Sequence, residues 1–341
     1  MKNIFFNFIF LGEIKMNNFK DIIVKNRPLL SSSTVKTYIS NMRKIQSVCP
    51  GIEINSIEDL IENREAILKC LSTAMTPMVR KSKIGTVITI LDDKHNDHSD
   101  KLKVAISDYR KVMNEDANIV NKGEEDQELT DSQRANLISQ EEVMKVYKQL
   151  KSEATPIMKL TKINKKQFQT LLDYVLLSLY VLIPPRRSMD YAVFKIRNFS
   201  ESAESKDNYM TNFSKTKKKG LSSFVFNTYK NSKKMGQQVL EIPKELEKVI
   251  EIWMKFNKSD YLLINGLGNS ITQSKIAIWL NDIFGKNIST SMLRHIYLSS
   301  KYKDVNLKEL KDDAKALGQS DISRTLKYVD KDYDKITEQK A

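Results

Sequence analysis

Three stretches of this chain hold side chains whose types and spacing suit chemistry on an anion. In "PPRRSMDY", residues 184–191, Arg186 and Arg187 follow an apolar run, in a chain whose positive charge is mostly lysine. A guanidinium is a planar fork matched to phosphate oxygens. The alternative use is a salt bridge, with Asp190 at i+3 from Arg187 as a partner. In "STSMLRHIYLSS", residues 289–300, Ser291 and Arg294 are i,i+3 neighbours beside an apolar stripe of Leu293, Ile296 and Tyr297. A hydroxyl and a guanidinium so placed can meet one anion, although the same spacing is common on plain surface helices. In "LGQSDISRTLKYVD", residues 317–330, Ile322, Leu326 and Val329 form a helical stripe. At ~100° per residue Tyr328 lies about 120° off it, which leaves the phenol for chemistry or simply for the surface.

The rest of the composition narrows that chemistry. The 341 residues include 56 Lys and Arg against 42 Asp and Glu, a formal net charge of +14, so the expected partners are polyanions. Residues 214–234, "SKTKKKGLSSFVFNTYKNSKK", carry seven lysines and no acid. A run of this kind is a solvated face or a contact for a nucleic-acid backbone. The two cysteines, Cys49 and Cys70, form no CxxC and imply neither a disulfide framework nor a thiolate zinc site. Mechanisms needing several histidines are excluded, since there are only three: His95, His98 and His295. The His-x-x-His of "DDKHNDH" has donors for a metal, but a polar loop is the expectation. No phosphate-binding glycine loop occurs, and no metal or other cofactor is expected.

The elements that must position these residues are mainly helical. "SSSTVKTYISNMRKIQSV" opens on capping residues and puts Val35, Tyr38, Ile39, Met42 and Ile45 on one face. Helical patterns continue to about residue 118. "NEDANIVNKGEEDQELTDSQRANL" is polar and aperiodic, and a linker is expected over 119–138. Ser139 and Glu142 have the spacing of a capping box that starts a second unit. "KKQFQTLLDYVLLSLYVLI" predicts a buried helix stopped by Pro184 and Pro185, and it is too short for a membrane span. "SSFVFNTYKNSKKMGQQVLEIP" predicts a β-hairpin, and helix resumes at "PKELEKVIEIWMKF". Residues 1–15 are left as an uncertain extension, with Met16 as an alternative start. The expected organisation is a helical domain over 16–118, a linker, a helical domain with a small antiparallel sheet over 139–330, and a tail over 331–341.

Taken in order, these stretches resemble the tyrosine recombinase (phage integrase) family. The family's last box, L-G-H-S-x-I-x-x-T-x-x-Y, is matched by Leu317, Gly318, Gln319, Ser320, Ile322, Thr325 and Tyr328, with Gln in place of His. The second arginine box, H-x-L-R-H, is matched by Ser291 (for the first His), Leu293, Arg294 and His295; the first, R-x-x-E-L, loosely by Arg187 and Asp190. The resemblance covers residues 139–329, whereas 17–118 is similar to the family's core-binding domain only in general character.

It implies a site-specific recombinase that cleaves and rejoins duplex DNA through a 3′-phosphotyrosyl intermediate. Tyr328 would be the nucleophile, Arg187 and Arg294 would hold the phosphate oxygens, and a hairpin lysine would be the general acid. Lys230 is best placed for that role, with Lys233 and Lys234 as alternatives. Ser291 and Gln319 stand at the family's histidine positions; both hydrogen-bond, but neither carries a proton charge near neutral pH. The partners implied are double-stranded DNA and three further copies on paired sites, with no membrane and no small-molecule substrate. The location implied is intracellular, wherever the target DNA resides. A mobile element or a relative of a large DNA virus fits the lysine-rich hairpin. A type IB topoisomerase, a telomere resolvase and a catalytically silent DNA-binding relative share the pattern and stay open.

Overall fold

The computed structural model describes residues 18–93, 99–125, 131–202, 204–211, 222–302 and 313–318. It divides into two compact units, Met1–Asp126 and Gln127–Ala341.

The first unit is helical: α1 (residues 18–26), α2 (Ser32–Val48), α3 (Ile57–Glu62), α4 (Arg64–Ala74), α5 (Pro77–Leu91) and α6 (Asp100–Glu125). Ser31 caps α2 through the Thr34 amide, and Ser56 and Asp59 form a reciprocal capping box on α3. Phe19, Ile23, Met42, Ile45, Leu60, Ile67, Ile84 and Tyr109 build one apolar core. The expected stripe of α2 faces it, joined by an unexpected Asn41 whose amide donates to Thr86 Oγ1 at 2.8 Å. Arg80 of α5 and the fully buried Asp116 of α6 pair through two parallel bonds, Nε–Oδ2 at 2.8 Å and Nη2–Oδ1 at 2.5 Å. The Cys49 thiol is pushed up to about 12, by burial first and by the neighbouring Cys70 thiol; both are free cysteines.

The stretch 119–138 is largely helix rather than an extended linker. Helix α6 continues to Glu125, and α7 (Asp131–Asn136) follows; the division between the units falls within this stretch.

The second unit continues with α8 (Gln140–Ile157), α9 (Lys165–Val181), α10 (Ser188–Ala192), β1 (Tyr209–Met210), β2 (Ser223–Phe226), α11 (Ser232–Met235), β3 (Gln238–Glu241), α12 (Lys244–Phe256), α13 (Gln273–Phe284) and α14 (Thr290–Lys301). Ser139 and Glu142 close their capping box on α8, and Asn164 and Gln167 do the same on α9. Helix α9 is buried on most faces, from Leu171 to Tyr180, and forms the axis of the unit. Trp253 of α12 packs against its Phe168 ring at 4.8 Å. The sheet is antiparallel in the order β1-β2-β3, with Ser223 opposite Glu241 and Phe226 opposite Gln238. Strand β1 adds Tyr209 opposite Val225, a partner the hairpin expectation lacked. The protein is therefore mainly α with one small antiparallel sheet, as the sequence leads one to expect.

Among the described residues no helix is long and apolar enough to cross a membrane, and no group of three metal-ligating side chains occurs. His95, His98, the lysines of 212–221, Gln319, Tyr328, Tyr333 and the tail lie outside the described residues.

Candidate active site

The chain leaves α9 through Pro184 and Pro185, which lack the amide hydrogens a helix needs, and presents Arg186 and Arg187 at the start of α10. Sequence spacing offered Asp190 to Arg187 at i+3; the structure gives it to Arg186 at i+4. Arg186 Nε donates to Asp190 Oδ2 at 2.8 Å, with both side chains out of contact with solvent. The pairing changes the part Arg187 can play. Its Nη1 is buried and has no hydrogen-bond partner among the described residues, and the same holds for Asp190 Oδ1.

Burial pushes the Asp190 carboxyl up, and Arg186, Arg187 and Arg294 each pull it back down by their charge. Asp190 is thus the point around which three guanidiniums gather. An ionised Asp190 offsets only one of the three positive charges, so the cluster suits a phosphate rather than a neutral ligand. The phenol of Tyr180, wholly buried, is pushed well up by burial and feels both Asp190 and Arg294. It therefore stays protonated and neutral at neutral pH and walls the cluster.

Arg294 arrives from α14, whose first turn is capped by Ser289 on the Met292 amide at 3.2 Å. Leu293 and Ile296 anchor the helix in the core, and Arg294 itself is only 1% exposed. Its Nη2 reaches the Leu317 carbonyl at 3.5 Å, a long bond that touches the start of "LGQSDISRTLKY". Ser291 lies on the exposed side of the same first turn, one turn before Arg294.

The β2–β3 hairpin supplies the lysines. Tyr229 turns inward, buried, and its hydroxyl donates to the Gly236 carbonyl at 2.8 Å. Lys230 faces solvent at the turn, and Lys233 and Lys234 are exposed on α11. Next to Lys230, Asn231 donates its amide to the Gly318 carbonyl at 2.9 Å. Asn208, almost fully buried, donates to the Asp190 and Thr228 carbonyls and accepts from the Asn227 and Thr228 amides, at 2.7–3.0 Å. It binds the head of the hairpin to α10.

The structure thus brings together Arg187, Arg294, the Lys230 turn and the Leu317–Gly318 start of the last box. The remaining expected residues, Gln319 and Tyr328, lie outside the described residues. Sequence reasoning named Arg186 but not its part as the partner of Asp190, and it missed Asn208, Asn231 and Gln238. Only Arg186 left a trace, in its i,i+4 spacing to Asp190. The other three are amides that bond backbone across 20 to 87 positions, and no local pattern records that.

No protein-family model and no curated protein matches the sequence. Solved structures do. A lambda integrase dimer bound to a COC′ core site matches with a TM-score of 0.51 at 11% identity, over 94% of this chain and 77% of that chain. A second lambda integrase dimer on such a site matches with a TM-score of 0.51 at 10% identity, over 94% and 95%. The site-specific recombinase XerH, bound to a palindromic difH substrate, matches with a TM-score of 0.49 at 12% identity, over 93% and 90%. At these identities the likeness is one of fold, and the fold is that of the tyrosine recombinases.

Proposed function

We propose that this chain is a site-specific DNA recombinase that breaks and rejoins strands through a 3′-phosphotyrosyl intermediate. The observation that carries this reading is the gathering of Arg187 and Arg294 about the buried Asp190, with a buried Arg187 nitrogen left unbonded among the described residues. A buried donor without a partner costs about 1–3 kcal/mol unless a ligand satisfies it. A non-bridging phosphate oxygen is such a ligand.

In this mechanism Tyr328 attacks the phosphorus, giving up its phenol proton to solvent water and forming the P–O bond to tyrosine as the bond to the 5′ oxygen breaks. Arg187 and Arg294 offset the charge that grows on the non-bridging oxygens. A phenol with an ordinary pKa of about 10 needs that help at neutral pH. A hairpin lysine, with Lys230 at the turn that touches the last box, hands its proton to the departing 5′ oxygen. Ser291 and Gln319 serve as hydrogen-bonding groups on the phosphate. The energy of the broken bond is kept in the phosphotyrosine, so a second 5′-hydroxyl reverses the step and no metal or nucleotide enters. Duplex DNA is the partner, neutralised by a chain of net charge +14, and recombination of two sites calls for four copies.

The test is a covalent selection. A library of nicked duplexes with randomised cores is incubated with the full chain, denatured in SDS, and DNA still attached to protein is recovered and sequenced. Wild type should enrich one core sequence, and Tyr328→Phe should recover none. An active wild type whose adduct survives Tyr328→Phe refutes the assignment of the nucleophile. Sequence-specific DNA binding by wild type without any adduct refutes the enzymatic reading. Relaxation of supercoils without exchange of partners would mark a topoisomerase instead.

A further inference from the structure

Resting on the recombinase reading, we propose that Arg186, which neither touches the phosphate nor belongs to the arginine boxes, is the positioning residue that sets the last box against the hairpin. Its side chain is fully buried, a costly place for a guanidinium, and each branch is used. Nε holds Asp190 at 2.8 Å; Nη1 donates to Gln238 Oε1 at 3.0 Å and to the Ala316 carbonyl at 2.6 Å; Nη2 donates to Gln238 Oε1 at 3.1 Å. The flat face of the group lies 3.8 Å from the centre of the Phe226 ring of β2. Gln238 of β3 passes the contact on, its own amide donating to the Lys315 carbonyl at 3.1 Å. One planar fork therefore bonds α10, the first residue of β3 and Ala316 at once, and lies against β2.

Gly318 shows how tightly the last box is seated on that fork. Its φ is +66°, and a Cβ there would stand 2.8 Å from Arg186 Nη2 and 3.4 Å from Gln238 Oε1. The box can therefore pass only as glycine, held from one side by Arg186 and from the other by the Asn231 amide. The nucleophile follows ten residues after Gly318 in the sequence. On the recombinase reading, a shift of this seat would be passed on to the segment that carries the nucleophile. A lysine at position 186 would keep the charge opposite Asp190 but lose the fork that reaches Gln238 and Ala316 together.

The experiment uses the duplex recovered by the covalent selection, in single-turnover cleavage with DNA affinity measured separately. Arg186→Lys should slow adduct formation at least about tenfold while DNA affinity stays within about twofold, the signature of lost alignment. A duplex with sulfur in place of the bridging 5′ oxygen separates positioning from proton transfer, because a thiolate leaves without a proton. That duplex should restore the rate of the responding lysine variant (alanine at Lys230, Lys233 or Lys234) but leave Arg186→Lys slow.

Gly318→Ala guards against a variant that merely misfolds. It should slow cleavage in the wild-type background and cost clearly less on top of Arg186→Lys, since the colliding guanidinium is then gone and only the strain of its positive φ remains. Full additivity of the two, a wild-type rate in Arg186→Lys, or rescue of Arg186→Lys by the sulfur duplex each overturns the proposal. No adduct from wild type overturns the recombinase reading and this proposal with it. An active wild type confines any failure to Arg186.

Discussion

Replacing Asp313 with asparagine tests whether one oxygen atom holds down the segment that leads into the last box. Asp313 Oδ2 accepts from Tyr297 Oη at 2.7 Å, Tyr302 Oη at 2.8 Å and Lys301 Nζ at 2.9 Å, and the residue is 7% exposed. Bonds to a charged acceptor contribute about 1.5–3 kcal/mol and neutral ones about 0.5–1.5, so each tyrosine bond should weaken by roughly 1 kcal/mol. The Lys301 side chain is 34% exposed, and its share is reduced by solvent to a few tenths of a kcal/mol. The sum, about 2 kcal/mol, is about a 30-fold rise in the local opening equilibrium of residues 313–318. Hydrogen exchange at the Leu317 and Gly318 amides, which donate to the Asp313 and Lys315 carbonyls, reads that opening directly. Tyr302→Phe removes one bond to the carboxylate, about 1.5 kcal/mol, and should give a rise of roughly tenfold. A change under about threefold in Asp313→Asn would refute the reasoning, because three bonds to one carboxylate would then not be what seats the segment.

Two further predictions concern stability. Asp116→Ala leaves the Arg80 guanidinium without its two-bond partner and should cost about 3–5 kcal/mol in denaturant unfolding of the first unit; a cost under about 1 kcal/mol would show that the pair is not a structural tie. Burial raises the Asp173 carboxyl to about 6, with the charge of Asp282 adding to it and the Gln169 bond opposing it. The folded chain therefore binds this proton more tightly than the unfolded chain, whose value is about 3.9. The stabilisation is complete below about pH 4 and disappears as pH rises through about 6. Relative to Asp173→Asn, wild type should gain about 1–2 kcal/mol between pH 7 and pH 4, and equal pH profiles for the two would refute the assignment.

Parts of the fold stated in local pattern were legible. The stop of α9 at two prolines, the capping box at Ser139 and the two runs of the hairpin all rest on neighbours within four residues or on simple periodicity. Strand β1 was not legible, because two residues carry no alternation and become strand only by pairing with Phe224 and Val225. The end of α6 was missed for a related reason: its last seven residues, Ile119 to Glu125, hold only two apolar side chains, next to each other in sequence, which is too little pattern to tell a helix from a linker. At the candidate site, motif spacing led to Arg187, Arg294 and the hairpin lysines but assigned Asp190 to the wrong arginine. Spacing of i+3 and i+4 are equal on paper; the choice fell to Arg186 because its side chain enters the interior beside Phe226, where a carboxylate must accompany it.

The single bond from Asn231 to Gly318 ties the hairpin turn to the last box across 87 positions. Two parts that share an anchor are assembled, and disturbed, as one. On the proposed chemistry the proton donor and the nucleophile would ride on these two parts, so a slip of either would disturb both at once.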